Sequence, residues 1–304
     1  MSDQDLFARL ILQRIADPED RRLGHLVAQL TPAGAVEALR SSASLVQYAP
    51  PVHDDGDEER WAKACRRWRS RLVTANPEAD LQAGHELGAD LVTPSDPDWP
   101  AELNDLGVSA PHALWVQGKA PLAGAFSRSV AIVGSRAATS YGRHAATEFA
   151  TAVGEAGLSV VSGAALGVDT AAHQGALLTD AATIAVLACG VDIAYPQVNR
   201  VLLEQIQQQG AVVSEYPIGS HPSRARFLAR NRLVASSLAT LVVEAATRSG
   251  SMNTATRARE LDRVLAAVPG PVTSSQSHGS NDLLVGGNAH AVRHPLHLLS
   301  LLQA

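Results

Sequence analysis

The sequence predicts an α/β protein with a doubly wound, mostly parallel β-sheet that follows a small helical N-terminal domain. Six short runs between residues 129 and 270 are apolar throughout, as expected of strands that are buried on both faces. A helix-like segment separates each run from the next. Regular alternation of strands and helices is typical of parallel sheets covered by helices on both faces.

The first eighty or so residues carry apolar side chains at helical spacing. The stretches "DQDLFARLILQRIAD" and "RRLGHLVAQLTPAGAVEALR" both show it, and a Thr-Pro-Ala-Gly break in the second indicates a turn. The later segment "CRRWRSRL" alternates basic and aromatic residues, which is compatible with nucleic-acid binding, but we interpret it as a helix with Trp68 facing a core. We therefore predict a helical domain over residues 1–80 and an α/β domain over residues 81–304.

The predicted strands lie in "SVAIVGS", "LSVVSGA", "TIAVLACG", "AVVSEYP", "ATLVVEA" and "RVLAAVPG". Intervening segments such as "YGRHAATEFATAVGEAG" have the length and periodicity of one crossover helix. After the last strand, the polar stretch "TSSQSHGSND" indicates a surface loop, and "HPLHLLSLLQ" predicts a short closing helix.

Composition excludes several classes of protein. Hydrophobic residues make up 46% and charged residues 18% of the chain, as in folded globular proteins. Because the net charge is −5, a nucleic-acid-binding surface would require positive charge to be concentrated on one face of the protein. Cys65 and Cys189 lie far apart, which predicts neither a disulfide framework nor a zinc site. Because the chain shows no membrane-length apolar run and no signal-peptide pattern, we expect a cytoplasmic protein.

Three strand-to-helix junctions indicate an anion-binding edge. Gly134-Ser135-Arg136 follow the first strand, residues 162–169 follow the second, and residues 248–251 follow the fifth. Each supplies glycine, which lets a backbone approach a ligand, together with hydroxyls and the free N–H groups of a helix N-terminus. The carboxyl ends of parallel strands share one edge, so we expect these junctions to meet. Neither a dinucleotide nor a P-loop fingerprint occurs.

The stretch "RARFLARNR", after the fourth strand, adds four arginines and one phenylalanine at the same edge. Arg226, Arg230 and Arg232 are placed to meet phosphates, and Phe227 offers a ring on which a base can stack. The alternative is a solvated helix start with Phe227 as a core anchor. Asp169, in the second junction, is either a helix N-cap or a ribose ligand. Several adjacent phosphate cradles suit a polymer better than a mononucleotide.

These segments, in this order, resemble the DNA-processing protein A family (DprA, also called Smf). The resemblance runs from about Leu91 to Gly287, and the helical N-terminus is similar to the SAM-like extension common in that family. It rests on the following stretches: "VAIVGSRAATSYG", "VVSGAALGVDTAAHQGAL", "TIAVLACGVDIAYP", "VVSEYPIG", "FLARNRLVA" and "LVVEAATRSGSMNTATRARELDRVLAAVPG".

The resemblance implies an extended Rossmann-like fold that binds single-stranded DNA in a basic pocket. It also implies a homodimer that loads the recombinase RecA onto single strands in natural transformation. Many relatives read F-P-K-R-N-R where this chain has "FLARNR", so Ala229 replaces a pocket lysine, and Arg224 or Arg226 is expected to supply phosphate contacts instead. Carried over to matching positions, the DNA-binding residues are Gly134, Ser135, Arg136, Ser162, Gly163, Gly167, Phe227, Arg230, Asn231, Arg232, Ser249 and Gly250.

An enzyme is the alternative function. The Rossmann-like nucleoside-monophosphate phosphoribohydrolases carry a signature resembling P-G-G-x-G-T-x-x-E at the fifth-strand turn, where this chain has "EAATRSGSMNTATRA" without the final glutamate. Glu244 and Asp169 form a conceivable catalytic pair, but no general base accompanies them. A metal site at His290, His294 and His297 is disfavoured because no Cys or acidic residue lies nearby. We therefore predict a non-enzymatic protein without metal or cofactor.

Overall fold

The computed structural model describes residues 2–51 and 56–302. The described N-terminal part contains four helices, which confirms the predicted helical region. Thr31 interrupts the second helix with a φ of 64°, at the predicted Thr-Pro-Ala-Gly break. The helices are α1 (Asp3–Ile15), α2 (Arg21–Arg40), α3 (Asp57–Leu72) and α4 (Pro77–Glu86).

The helical region has its own apolar core, to which α1, α2 and α3 contribute. Trp68 is completely buried there and packs edge-on against Trp61, with ring centroids 5.7 Å apart. The interpretation of "CRRWRSRL" as a helix with Trp68 in a core is therefore confirmed. Three arginines of this segment donate hydrogen bonds to other residues of the helical region. Arg67 donates to Asp20, whereas Arg69 and Arg71 donate to backbone carbonyls.

The rest of the described chain contains one sheet of nine strands with the order β1-β2-β6-β5-β4-β3-β7-β8-β9. The parallel strands β3 to β9 include all six predicted strands, whereas β1 and β2 pair in antiparallel fashion at one end. The predicted fold class, mostly parallel α/β, is confirmed. The strands are β1 (Asp90–Val92), β2 (Leu114–Gly118), β3 (Ser129–Val133), β4 (Ser159–Ser162), β5 (Thr183–Val186), β6 (Ala211–Ser214), β7 (Ala239–Val242), β8 (Val264–Ala267) and β9 (His290–Ala291).

Helices cover both faces of this sheet, and successive strand residues contribute to opposite cores. Along β3, for example, Ile132 packs into one core and Val133 into the other, because side chains alternate across a strand. No helix within residues 2–51 and 56–302 combines the length and the apolar character needed to cross a bilayer. The helices are α5 (Leu122–Ser127), α6 (Ser140–Glu155), α7 (Val168–Ala176), α8 (Arg200–Gln209), α9 (Arg224–Ala235), α10 (Gly250–Glu260), α11 (His278–Val285) and α12 (Pro295–Leu301).

The strand order creates a switch point between β3 and β7. From β3 the chain winds outward through β4, β5 and β6, and it then crosses back to place β7 on the other side of β3. The loops that leave β3 and β7 therefore turn toward opposite faces and leave a crevice between them. In open α/β sheets, ligands bind in this crevice at the carboxyl ends of the strands.

The helical region packs directly on the antiparallel end of the sheet. Trp115 of β2 is 1% exposed and packs with Leu10 of α1, and Gly84 of α4 lies against its ring. The predicted domain boundary at residue 80 falls inside α4, where Asp80 forms an ion pair with Arg14 of α1. The fourth helix therefore serves both the helical bundle and the sheet.

Replacing Gly84 with Ala tests this packing. A Cβ at position 84 would overlap the six-membered ring of Trp115, which is itself buried in the core. We expect the free energy of unfolding to fall by about 1–3 kcal/mol, as for other overpacked cores. Urea denaturation measures the change.

Gly124→Ala is the matched control, because a Cβ at this helical position has no atom within 4 Å. Its stability should be unchanged or up to about 1 kcal/mol higher, since Ala favours helices. A Gly84→Ala protein as stable as the wild type would contradict close packing between α4 and Trp115.

Candidate functional site

A cavity of about 840 Å³ opens at the carboxyl edge of the sheet, where β3 and β7 diverge. The loops after β3, β4 and β7 and the N-terminal part of α9 surround it. The predicted junctions therefore meet, although DNA binding by their residues stays a prediction. Nine of the twelve predicted site residues line the cavity: Gly134, Ser135, Arg136, Gly163, Phe227, Arg230, Asn231, Ser249 and Gly250.

Hydrogen bonds tie the loop after β3 to the segments around it. The Ser135 amide donates to the carbonyl of Glu244 at 2.6 Å, and the Ser251 hydroxyl donates to the carbonyl of Gly134 at 2.7 Å. The Ser135 hydroxyl donates to Gln276 at 2.6 Å. A side chain at position 134 would lie 2.7 Å from the Glu244 carbonyl, so only glycine allows this approach. The cavity floor is therefore held in place before any ligand arrives.

The Glu244 carboxylate is committed to helix α6. It accepts hydrogen bonds from the backbone N–H of Thr139 at 2.9 Å and from the Thr139 hydroxyl at 2.7 Å. Thr139 is the N-cap of α6, and a negative charge at a helix N-terminus is stabilising. Glu244 is 1% exposed and does not line the cavity. Its role in the structure is to hold α6 against the end of β7.

Asp169 closes the loop between β4 and α7. Its carboxylate accepts hydrogen bonds from the backbone N–H groups of Gly163 at 3.2 Å and Ala165 at 3.3 Å. Helix α7 has Gly167 as its N-cap, so the N-cap interpretation of Asp169 is wrong. Burial raises the pKa of the Asp169 carboxyl, and the guanidinium of Arg230 opposes that shift.

Two predicted site residues shape this loop without lining the cavity. The Ser162 hydroxyl is buried and donates to the carbonyl of Ile132 at 2.7 Å. Gly167 has a φ of 81°, and a side chain there would overlap the carbonyl oxygen of Ser135. Because both residues are used in internal contacts, their predicted direct contact with DNA is not supported by their positions.

Arg230 is a buried cation in the cavity wall. Its side chain is 4% exposed and donates to the carbonyls of Gly163 and Val186, at the ends of β4 and β5. Gly163 makes room for it, because a Cβ at this position would overlap the guanidinium. Burial lowers the pKa of Arg230. The nearby Asp169 carboxylate opposes that shift, and the Nε of Arg230 has no hydrogen-bond partner among the described residues.

Arg232 is buried outside the cavity, and this position does not support its predicted phosphate contact. Both of its terminal nitrogens donate to the carboxylate of Glu215, at 2.5 and 2.6 Å, and its Nε donates to the carbonyl of Ser109 at 2.8 Å. Helical residues two positions apart point in different directions, so Arg230 and Arg232 cannot face the same ligand.

Three exposed arginines line the cavity: Arg136, Arg224 and Arg248. Within the described part of the chain, none of them makes a hydrogen bond or an ion pair. Arg136 instead lies over the ring of Phe227, with its guanidinium carbon 4.6 Å from the ring centroid. Arg226 is less available, because it donates to the carbonyl of His221 at 2.5 Å and does not line the cavity. The sequence analysis placed Arg248, which directly precedes the N-cap Ser249 of α10, in the third junction but not among the DNA-binding residues.

Aromatic and apolar side chains form another part of the wall. Phe227 contacts Tyr195, which follows β5, and the ring centroids are 5.5 Å apart. Tyr195 and Leu228 are both 41% exposed and both line the cavity. Sequence analysis missed Tyr195, and its only signal was a Tyr-Pro pair after the third predicted strand.

The N-terminus of α10 is open toward the cavity. Ser249 is its N-cap and accepts a hydrogen bond from the Met252 amide at 3.4 Å. The Asn231 side-chain amide donates to the Gly250 carbonyl at 3.1 Å and thereby ties α9 to α10. A side chain at Gly250 would meet no protein atom within 4 Å. Free N–H groups at this end can bind an anion.

The histidines considered for a metal site serve other purposes. His290 lies in the exposed edge strand β9, and His294 is the N-cap of α12, where its ring accepts a hydrogen bond from the Leu296 amide at 3.3 Å. Among the described residues, no group of three or more His, Cys, Asp or Glu side chains is arranged to hold a metal ion.

Comparison with known proteins identifies relatives of this chain. The family model described as DNA recombination-mediator protein A matches residues 90–303. The putative DNA processing protein DprA of Mycobacterium tuberculosis is 41% identical over 298 residues, which cover 94% of this chain and 72% of the relative. The DNA processing protein DprA of Streptococcus pneumoniae is 38% identical over 193 residues, which cover 63% of this chain and 67% of the relative.

Two solved structures are similar in both fold and sequence. The X-ray structure of DprA from Streptococcus pneumoniae superposes with a TM-score of 0.75 at 27% identity and covers 99% of this chain and 98% of its own. A structure of DprA from Helicobacter pylori, described for its single-stranded DNA binding mode, has a TM-score of 0.63 at 31% identity. It covers 70% of this chain and 96% of its own.

The buried ion pair of Arg232 and Glu215 leads to a stability prediction. Arg232→Met should lower the free energy of unfolding by about 3–5 kcal/mol, because it leaves the Glu215 carboxylate buried without a partner. The double variant Arg232→Met/Glu215→Leu removes both charges and should recover most of that loss. Urea denaturation of the wild type and the two variants measures the free energy of unfolding. Equal stabilities for the single and double variants would show that an unpaired Glu215 carboxylate is not the cause of the loss.

Proposed function

Since the chain belongs to the DNA recombination-mediator protein A family, we propose that it binds single-stranded DNA in the cavity between β3 and β7. We also propose that it then loads the recombinase RecA onto the bound strand. The observation that carries the first proposal is the cavity itself. Three exposed arginines, which make no hydrogen bond or ion pair among the described residues, stand beside an exposed aromatic wall.

This arrangement matches what a single strand offers. Guanidinium groups neutralise phosphates, and aromatic rings stack on any base, so such sites bind with little sequence preference. In a duplex the base faces are stacked and inaccessible to Phe227 or Tyr195. The local cluster also overcomes the unfavourable net charge of −5, because a basic cavity attracts phosphates at short range. The single-stranded DNA binding mode described for the Helicobacter pylori relative supports the same ligand.

A binding role without catalysis is part of the proposal. The two carboxylates considered for catalysis already have structural partners. Glu244 accepts two hydrogen bonds from Thr139, and Asp169 accepts two from backbone N–H groups. A nucleotide-cleaving enzyme needs a free general base near its substrate. Release of free base from a nucleoside monophosphate by the purified protein, lost in Glu244→Gln, would overturn this part.

The same proposal includes three further parts: the protein delivers RecA, assembles as a homodimer, and acts in natural transformation in the cytoplasm. The description of the family as recombination mediators supports the delivery of RecA. Sedimentation equilibrium that finds only monomers at micromolar concentration would contradict the dimer.

Loss of a cavity arginine should weaken DNA binding in a salt-dependent way. We expect Arg136→Ala, Arg224→Ala and Arg248→Ala each to reduce affinity for oligo(dT). Each should also lower the slope of log K against log salt by about 0.7, the value for one phosphate contact on a single strand. Fluorescence anisotropy across a salt series measures both quantities.

Arg128→Ala is the control, because Arg128 is an exposed arginine that precedes β3 at the opposite edge of the sheet. Its slope should equal that of the wild type. Tighter binding of the wild type to a duplex of the same length than to oligo(dT) would argue against the proposed site.

RecA loading has its own test. On strands pre-coated with single-strand-binding protein, the wild type should accelerate the DNA-dependent ATPase activity of RecA. Arg224→Ala should do so less well in proportion to its loss of DNA affinity, and Arg128→Ala should match the wild type. If the wild type binds oligo(dT) but does not accelerate the ATPase activity of RecA on the coated strands, the loading proposal is wrong. The proposal of single-strand binding would still stand.

A further inference from the structure

Two aromatic rings meet in the wall of the cavity. Phe227 lies in the first turn of α9, and Tyr195 comes from the segment after β5. Their centroids are 5.5 Å apart and their planes are inclined by 47°. Rings in such direct contact leave no room for a base between them. The two rings therefore present two adjacent surfaces, inclined to each other.

Tyr195 is the more accessible of the two rings. It is 41% exposed, whereas Phe227 is half-buried and carries the Arg136 guanidinium 4.6 Å from its centroid. The Tyr195 hydroxyl makes no hydrogen bond within the described residues, so a polar contact does not explain its position. A ligand that enters the cavity therefore meets Tyr195 at least as readily as Phe227.

The exposed apolar surface continues beyond the rings. Leu228 follows Phe227, is 41% exposed and lines the same cavity. The cavity thus combines an aromatic and apolar wall with the three exposed arginines. Apolar surface combined with a few convergent polar groups is the signature of a ligand site.

We propose that Tyr195 is a second base-stacking residue, so that the cavity holds two consecutive bases, one on Tyr195 and one on Phe227. Arg136, Arg224 and Arg248 hold the phosphates of the same strand. Tyr195 is then a DNA-binding residue that increases affinity through base faces and adds no phosphate contact. This inference rests on the proposed single-strand binding and goes beyond it by assigning the role of one residue.

The experiment compares two ligands with the same number of phosphates. One is oligo(dT), and the other is a strand of equal length in which every nucleotide is an abasic tetrahydrofuran spacer. Phosphate contacts and counterion release are common to both strands. The ratio of their affinities therefore isolates the contribution of the bases, independently of the register in which a strand binds.

Tyr195→Ala should lower the affinity for oligo(dT) about tenfold, the usual effect of removing one stacking ring, and leave the affinity for the abasic strand unchanged. Phe227→Ala should behave in the same way, and the double variant should lose most of the difference between the two strands. Tyr195→Phe keeps the ring and should retain wild-type affinity for both. Arg224→Ala is the control and should weaken both strands by the same factor.

Three outcomes would overturn the inference. An unchanged affinity of Tyr195→Ala for oligo(dT) would show that its ring meets no base. Equal losses on both strands would show that Tyr195 acts on the phosphate contacts instead. Failure of the wild type to bind oligo(dT) would remove the proposed function and this inference together, whereas the first two results leave the function standing. Circular dichroism melting confirms that each variant is folded.

Discussion

The contacts of Glu244 at the end of β7 hold the cavity together. Its backbone carbonyl accepts the Ser135 amide of the loop after β3, and its carboxylate accepts both hydrogen bonds from Thr139 at the start of α6. Glu244 thus connects the end of β7 both to the loop after β3 and to helix α6, which follows that loop. Because Glu244 is buried, these bonds are protected from water and hold the loops in one arrangement. The hydrogen-bonded loops in turn support the exposed arginines and aromatic rings of the cavity wall.

Arginine has three roles around this cavity, and the surroundings of each side chain decide which. Arg230 is buried against backbone carbonyls and contributes charge to the wall. Arg232 is buried against Glu215 and links α9 to the segment at Ser109, which packs near the helical region. Arg136, Arg224 and Arg248 are exposed and make no hydrogen bond or ion pair among the described residues. These three guanidinium groups can bind phosphate, because their N–H groups are not used in hydrogen bonds within the described part of the protein.

Particular elements show why part of the fold was predictable. The strands β3 to β8 are mainly apolar because both of their faces are covered, and such runs stand out in a sequence. The sequence analysis did not assign β1, β2 or β9. Strand β1 has three residues and β9 two, too few for a periodic pattern. Strand β2 pairs with the short β1 on one side and with β6 on the other, and β6 follows it by about a hundred residues. Pairing over such a separation leaves no local signal.

The sequence by itself determined the alternation of strands and helices, the glycine-rich turns at one edge of the sheet, and the concentration of charge in "RARFLARNR". Only the tertiary structure decided which of these residues reach the cavity. The helical period separates Arg230 from Arg232 by roughly half a turn, so one of them lines the cavity while the other packs against Glu215. Tyr195 reaches Phe227 because the turns after β5 and β6 lie at the same edge, a proximity that follows from strand order rather than from residue spacing.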